Sequence, residues 1–163
     1  MASPFKLLFV CMGNICRSPA AHGVMQKLVI EAGLQDQVLV DSAGTGGWHA
    51  GSLPDNRMRK HAAHRGYTLD HVARQVRSSD FQEFDLILVM DQQNQREIRP
   101  FCGDPALMSK VQFFCEFAKD RPEKQVPDPY YGGDDGFEQV LDIVENGCQH
   151  LLEHVRKQGH SRP

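Results

Sequence analysis

The feature that most constrains the fold is a short apolar run that passes through a glycine-containing loop into a helix. Lys6–Val10 is apolar after its first residue and contains β-branched and aromatic side chains, which is typical of a strand buried on both faces of a parallel sheet. Ser18 can cap a helix, Pro19 suits its first turn, and apolar residues then recur at helical spacing as far as Gly33. The pattern predicts a strand–loop–helix unit and therefore an α/β fold.

The rest of the chain continues the alternation of strands and helices. We expect one domain over residues 1–163, with a central four-stranded, parallel, twisted sheet, right-handed crossovers and helices on both faces. Ligands of such sheets lie beyond the carboxyl ends of the strands. Cys11 and Asp91, which follow the first and third strands, are therefore candidate ligand-binding positions. The further strands are predicted at 38–40, 86–90 and 110–112, and the further helices at 55–64, just after 91, and at 136–158.

The loop after the first strand carries a nucleophile and a cation. Cys11 and Arg17 stand at its two ends with five residues between them. If the loop curls around one centre, its backbone N–H groups form an anion-binding nest beside a helix N-terminus, and Arg17 adds a bidentate fork for phosphoryl oxygens. The same positive surroundings favour the thiolate of Cys11, to which Ser18 can donate a hydrogen bond. The predicted phosphate-binding residues are Met12, Gly13, Asn14, Ile15, Cys16, Arg17 and Ser18.

Composition narrows the class of protein further. The net charge is −3, with 40% hydrophobic and 24% charged residues, which is typical of a globular protein without affinity for nucleic acid. No apolar run is long enough for a membrane span, and no signal-peptide layout or Walker motif is present. The five cysteines and these absences lead us to expect a cytoplasmic protein. A basic stretch at 57–77 and an acidic one at 123–145 are either solvated surfaces or walls beside an anionic substrate.

The segment Leu8–Pro19, LFVCMGNICRSP, closely resembles the signature of the low-molecular-weight protein tyrosine phosphatases. Further matches run nearly end to end, at 41–45, 71–75, 89–91 and 128–132. The resemblance implies hydrolysis of phosphotyrosine, and of small aryl phosphates, without a metal or cofactor and through a cysteinyl-phosphate intermediate on Cys11. It assigns Asp128 as general acid and then base. Its implied partners are a phosphotyrosine-containing protein substrate, with a tyrosine kinase among the candidates, and inorganic phosphate as product.

The resemblance also proposes residues that support the loop and shape the pocket. Asn14, Ser18, Ser42 and His71 are implied to form a hydrogen-bond network. Position 22, often a glutamate that pairs with the counterpart of His71, is a histidine here, so Asp41 is the remaining acid for His71.

The predicted substrate pocket favours an aromatic substrate. Ile15 favours phosphotyrosine, since related bacterial arginine phosphatases tend to carry threonine at that position. A separate hypothesis is that Tyr130 and Tyr131 are themselves phosphorylated. The predicted pocket residues are Met12, Ile15, Trp48, Tyr130 and Tyr131.

Three alternatives and one redox hypothesis stay open at this point. An arsenate reductase of the same fold would need a redox cysteine pair after the third strand, where Cys102 stands alone. A non-catalytic phosphotyrosine-binding module would be expected to lose Cys11 or Asp128. His61 and His64 share a helical face but lack a third ligand at convincing spacing, so no metal site is predicted. Cys16 is expected to form a reversible disulfide with Cys11 on oxidation.

Overall fold

The computed structural model describes residues 3–130 and 132–161, with side chains described as far as Gln158. Tyr131, predicted to line the pocket, lies outside the described residues. The strands are β1 (Phe5–Cys11), β2 (Val38–Gly44), β3 (Leu86–Val89) and β4 (Val111–Phe113), and the helices are α1 (Arg17–Glu31), α2 (Asn56–His64), α3 (Asp80–Glu83), α4 (Gln92–Ile98) and α5 (Asp134–Ser161).

The four strands form one parallel sheet in the order β2-β1-β3-β4. Cys11 lies opposite Gly44, and Val10 lies opposite Val89. The end of β1 is therefore at the centre of the sheet, flanked by the ends of β2 and β3. The predicted four-stranded parallel sheet is confirmed, and its central strand delivers Cys11 to the edge where ligands of such sheets bind.

Alternate side chains of β1 enter two separate apolar cores. Leu7 and Phe9 pack with α1 and α5, whereas Leu8 and Val10 pack with the opposite layer that contains α3 and α4. Both faces of the sheet are thus covered, which is the reason that the strand reads as a continuous apolar run. The predicted helices on both faces are confirmed.

Helix α3 has no counterpart among the sequence-based predictions. It is only four residues long, too short for a helical periodicity to show. Its Asp80 is fully buried and accepts hydrogen bonds from the backbone N–H of Arg77 and from the guanidinium of Arg74. The ion pair between Asp80 and the nearby Arg74 therefore holds this segment in place.

The basic and acidic stretches meet each other instead of facing a ligand. Arg65 on α2 pairs with three acids of α5, and Arg74 pairs with Asp41 and Asp80. The interpretation of the basic stretch as a wall beside the substrate is wrong for Arg65 and Arg74. Both guanidinium groups are already paired with carboxylates that hold α2 and the following loop in place. Within residues 3–130 and 132–161, no helix combines the length and apolar content needed to cross a bilayer.

Candidate active site

The loop between β1 and α1 turns its carbonyl groups outward. The carbonyls of Cys11 and Met12 accept from Thr45 and Gly46, and those of Ile15 and Cys16 accept from other backbone N–H groups further along the chain. Across a trans peptide bond the C=O of one residue and the N–H of the next point in opposite directions. The N–H groups of residues 12, 13, 16 and 17 therefore point to the inner side of the curve, as an anion nest requires.

Gly44, at the end of β2, allows the loop to sit directly against the sheet. A Cβ atom at this position would lie 2.7 Å from the carbonyl oxygen of Met12 and 3.1 Å from the backbone nitrogen of Asn14. Backbone atoms cannot move aside cheaply, so a side chain here would push the loop out of its curve. Glycine is required at this position by close approach rather than by its own dihedral angles.

Asn14 is the point at which the loop reverses direction. Its φ is 57°, the one positive value for a non-glycine residue in the described chain, and its side chain is fully buried. The amide Nδ2 donates to Ser18 Oγ at 2.8 Å, and Oδ1 accepts from the backbone N–H of Arg74 at 3.1 Å. These bonds hold a backbone conformation that would otherwise be unfavourable by about 1 kcal/mol.

Ser18 connects Asn14 to the nucleophile. Its Oγ lies 3.0 Å from the Sγ of Cys11. Because the same oxygen accepts from the Asn14 amide, its own proton is free to point at the sulfur. The arrangement therefore allows Ser18 to donate a hydrogen bond to the Cys11 sulfur.

Arg17, the first residue of α1, is 2% exposed and held from two sides. Its Nη1 donates to Asp91 Oδ2 at 2.6 Å and to the carbonyl oxygen of Val126 at 3.0 Å. Burial by itself would lower the pKa of this guanidinium, but Cys11, Asp91 and Asp128 together raise it. Arg17 is thus a permanently charged, fixed group beside the sulfur.

Asp128 reaches the same cleft from the loop before α5. Its Oδ2 lies 3.6 Å from Arg17 Nη2, and Oδ1 accepts from the backbone N–H of Tyr130 at 3.0 Å. The side chain is 31% exposed. The chain just before it is anchored by a bond from Val126 N–H to the carbonyl oxygen of Met90, at the end of β3. The carboxyl group is therefore positioned at the mouth of the cleft, in contact with solvent.

The cleft above the loop holds about 490 Å³ of space, with the open solvent at its mouth included. Trp48 is among the residues that line it and is 68% exposed. His49 faces Tyr130, with ring centroids 6.3 Å apart, and narrows the entrance. The described lining residues are Cys11, Met12, Gly13, Ile15, Cys16, Arg17, Trp48, His49, Asp128 and Tyr130.

Ser42 and His71 lie in a neighbouring cluster rather than on Asn14 or Ser18. The Oγ of Ser42 is 3.0 Å from His22 Nδ1, and its carbonyl oxygen is 3.1 Å from His71 Nε2. His71 Nε2 is also 3.5 Å from Asp41 Oδ1, as expected once a histidine occupies position 22. The four residues predicted to form one network therefore form two separate pairs, Asn14 with Ser18 and Ser42 with His71. Arg74 connects the two pairs through its hydrogen bonds to Asn14 and Asp41.

The remaining cysteines do not form a relay to the cleft. Cys11 and Cys16 are the cysteines among the described residues that line it. Cys102 donates its Sγ–H to the carbonyl oxygen of Asp104, and burial raises the pKa of Cys115 to about 11. Neither Cys102 nor Cys115 lines the cleft, so neither is placed to take oxidising equivalents from an oxyanion bound there, and the arrangement does not favour arsenate reduction.

Sequence reasoning missed four residues that shape the site. Asp91 was singled out only as a strand end, although its position beyond β3 could have suggested the partner of Arg17. Gly44 appeared only within a motif, Arg74 only within a motif and the basic stretch, and His49 carried no local signal, since their contacts depend on tertiary packing.

The comparisons with known proteins agree with this geometry. Residues 6–161 match the family model described as low molecular weight phosphotyrosine protein phosphatase. The low molecular weight protein-tyrosine-phosphatase of Streptomyces coelicolor is 43% identical over 160 residues, covering 97% of this chain and 98% of that one.

Two solved structures extend the comparison to the fold. A protein tyrosine phosphatase from Entamoeba histolytica superposes with a TM-score of 0.91 at 44% identity, covering 94% of this chain and 98% of that one. A Drosophila arginine phosphatase superposes with a TM-score of 0.85 at 32% identity, covering 92% and 97%. Because the family model and these relatives match the chain along nearly its whole length, this protein belongs to the low molecular weight phosphotyrosine protein phosphatases.

Proposed function

We propose that the protein hydrolyses phosphotyrosine through a cysteinyl-phosphate intermediate on Cys11. The observation that carries the proposal is the convergence of the Cys11 sulfur, the inward N–H groups and Arg17 on one cleft. The N–H groups and the guanidinium bind the three non-bridging oxygens, so the sulfur attacks phosphorus opposite the leaving oxygen. The S–P bond forms as the P–O bond to the tyrosine breaks.

Asp128 completes both steps as a proton carrier. The protonated carboxyl group gives its proton to the departing phenolate oxygen, and the carboxylate then takes a proton from the water that attacks the phosphorus. The second step breaks the S–P bond, releases inorganic phosphate and restores the Cys11 thiolate. The position of Asp128 at the solvent-facing mouth, 3.6 Å from Arg17, supports this double role, because both the leaving oxygen and the water must reach it.

The lining of the cleft favours an aromatic phosphate ester. Two aromatic side chains, Trp48 and Tyr130, and the apolar Ile15 contribute to this lining. A phenyl ring buries more apolar area there than a serine side chain can. A protein that carries phosphotyrosine is therefore the proposed substrate. A tyrosine kinase that is itself phosphorylated on tyrosine is a predicted example of such a substrate.

Phosphoarginine is the second candidate substrate, because a structural relative at 32% identity is an arginine phosphatase. The two substrates make different demands on the cleft: a guanidinium needs a carboxylate or a small polar lining, whereas a ring needs apolar walls. Ile15 and Trp48 favour the ring.

A turnover panel with a chelator present tests the proposal. Phosphotyrosine, phosphoserine and phosphoarginine peptides and arsenate are offered at equal concentration, and released phosphate or consumed reductant is measured. We expect phosphotyrosine to have the highest kcat/KM by at least about 10-fold, since an apolar contact of one ring contributes more than 1 kcal/mol. Faster turnover of phosphoarginine, or arsenate-dependent oxidation of a thiol, would contradict it.

We also propose that Cys16 protects the nucleophile. Burial raises the pKa of Cys16, as do the charges of Asp55 and Cys11, so Cys16 stays a thiol while Cys11 reacts with peroxide. Oxidation of Cys11 to the sulfenic acid followed by attack of Cys16 forms a disulfide and releases water, which stops further oxidation. Both thiols are free and buried. The cytoplasmic location stays a prediction, and a reducing compartment would reopen such a disulfide.

A further inference from the structure

A second cluster of chemically capable side chains lies beside the phosphate loop. His22 on α1, Asp41 on β2 and His71 in the segment after α2 bring their ligand atoms within 4.8 Å of one another. Two of these atoms, His71 Nε2 and Asp41 Oδ1, are 3.5 Å apart, and the two imidazole rings have centroids 4.7 Å apart. It is the one such cluster of three among the residues that the structure describes.

The donor set suits a borderline transition metal. Two imidazoles and a carboxylate are a common protein ligand set for Zn²⁺, whose ligands lie about 2.0–2.2 Å from the ion and hence roughly 3.3–3.5 Å from one another in a tetrahedron. The pair from His71 and Asp41 already has this separation. We propose that His22, Asp41 and His71 form a Zn²⁺-binding site, distinct from the phosphate cleft, with water as the fourth ligand.

Neighbouring groups already hold the carboxylate in a ligating orientation. Asp41 Oδ1 accepts from the backbone N–H of Ser42, while Oδ2 accepts from the Arg74 guanidinium at 3.0 Å. Oδ1 can therefore bind the ion while Oδ2 keeps its ion pair, and such outer partners typically strengthen metal binding 10–100-fold. His22 is oriented in the same way by Ser42 Oγ.

A surface cleft leads to the cluster. It has a volume of about 290 Å³ and includes both histidines in its lining. It shares no lining residue with the cleft above Cys11, so an ion bound here leaves the nucleophile accessible. The described lining residues beside the two histidines are Pro19, Gly23, Gln26, Thr68, Leu69 and Asp70.

Calorimetric titration with ZnCl₂ tests the site. The titration uses the chelator-treated Cys11→Ser protein at pH 7, because the catalytic thiolate would itself take up zinc. We expect one saturable site, with affinity lowered at least about 10-fold by His22→Gln and by His71→Gln. His150→Gln is the matched control, since His150 forms an exposed pair with Asp120 at 2.8 Å, and it should change the affinity less than about 2-fold. Unchanged affinity in His22→Gln, or no saturable binding at all, overturns the proposal.

A second measurement needs no substitution at the site. The imidazole signals are followed by proton NMR during the same titration. Added zinc should shift or broaden the signals of His22 and His71 before that of His150. Their assignment follows from the Gln variants that fold, and folding is checked by far-ultraviolet circular dichroism. Response of His150 first, or of all histidines equally, shows surface binding and contradicts the site. Because binding is measured without a phosphate substrate, its failure is distinguishable from failure of the proposed hydrolysis.

Discussion

The two loops that meet over the sheet are built in opposite ways. The loop from Cys11 to Ser18 is almost entirely buried and is held by backbone bonds to the turn after β2 and by Arg74 against Asn14. The loop around Asp128 is half-exposed, and its carboxylate is bonded to a backbone N–H two residues away and lies 3.6 Å from Arg17.

This difference matches the two demands of the proposed chemistry. Donors that stabilise a charged phosphoryl group work best when they are fixed before the substrate arrives. A carboxyl group that first protonates a leaving oxygen and then activates water must stay within reach of two different atoms and of solvent. In the proposed mechanism, the buried loop therefore serves phosphate binding and attack, and the exposed loop serves proton transfer.

The strongest test of this division is removal of the nucleophile. Cys11→Ser keeps the loop and Arg17, so we expect turnover to fall at least about 10⁴-fold while inorganic phosphate still binds. Initial-rate assays with p-nitrophenyl phosphate and phosphate titration by calorimetry measure the two quantities. Residual turnover close to that of the parent protein would end the cysteinyl-phosphate proposal.

Removal of the proton carrier should have a smaller effect. Asp128→Asn is expected to lower kcat by about 10²–10⁴-fold, the usual contribution of general acid catalysis, without weakening phosphate binding. Aryl phosphates with good leaving groups should lose less activity than phosphotyrosine, because they need less protonation. An equal loss for all leaving groups would contradict the assigned role of Asp128.

The rigidity of the phosphate loop can be tested through stability. Asn14→Ala removes two buried hydrogen bonds and places an alanine at a φ of 57°, so we expect unfolding to become easier by about 3 kcal/mol. Asn14→Gly should recover roughly 1 kcal/mol of this loss. Asp128→Ala is the matched variant in the other loop and should change stability by less than about 0.5 kcal/mol. Urea unfolding measures all three, and similar losses in both loops would contradict the comparison.

The cluster behind the phosphate loop predicts a loss of stability in acid. Burial lowers the folded-state pKa of His22 to about 4 from 6.5. As the pH falls below 6.5, the unfolded chain takes up the proton first, so the folded state loses about 2–3 kcal/mol from this group by pH 4.5. Urea unfolding at pH 7 and 4.5 should show a smaller drop for His22→Gln than for the parent protein. His64→Gln changes an exposed residue of α2. This variant should lose as much free energy of unfolding between pH 7 and 4.5 as the parent protein does.

The smallest expected change in turnover comes from Cys16→Ser. The loop keeps its backbone bonds, so kcat should stay within about 2-fold of the parent value. Recovery by dithiothreitol after peroxide treatment should be nearly complete in the parent protein and poor in the variant, because sulfinic acid is not reduced by thiols. Equal recovery in both proteins would contradict the protective role.

Local patterns in the chain were sufficient for the main architecture. The apolar run of β1 and the amphipathic repeat of α5 each depend on neighbours in sequence, and the structure has them close to the predicted positions. Helix α1 also starts near its predicted position, but at Arg17, with Cys16 as its N-cap and no side-chain cap. The prediction that Ser18 caps this helix is wrong, because the Ser18 hydroxyl bonds to Asn14 and Cys11 instead. The four-residue α3 was not predictable because it is too short for a helical periodicity to show, and the pairing of Arg65 with α5 was not predictable because it joins segments far apart in the chain.

The same contrast applies to the site. The spacing of Cys11 and Arg17 is weak evidence alone, but its place between a buried strand and a Ser-Pro helix start, with a glycine and an asparagine inside the loop, predicted a phosphate-binding loop with a nucleophile. Only the tertiary structure decided that Asp91 and the Val126 carbonyl hold Arg17, that Gly44 allows the loop to close, and that His22 meets Asp41 and His71. The physical reason is that these groups come together through the parallel register of β1, β2 and β3, and crossover connections of this kind leave no fixed sequence spacing between the strand ends they align.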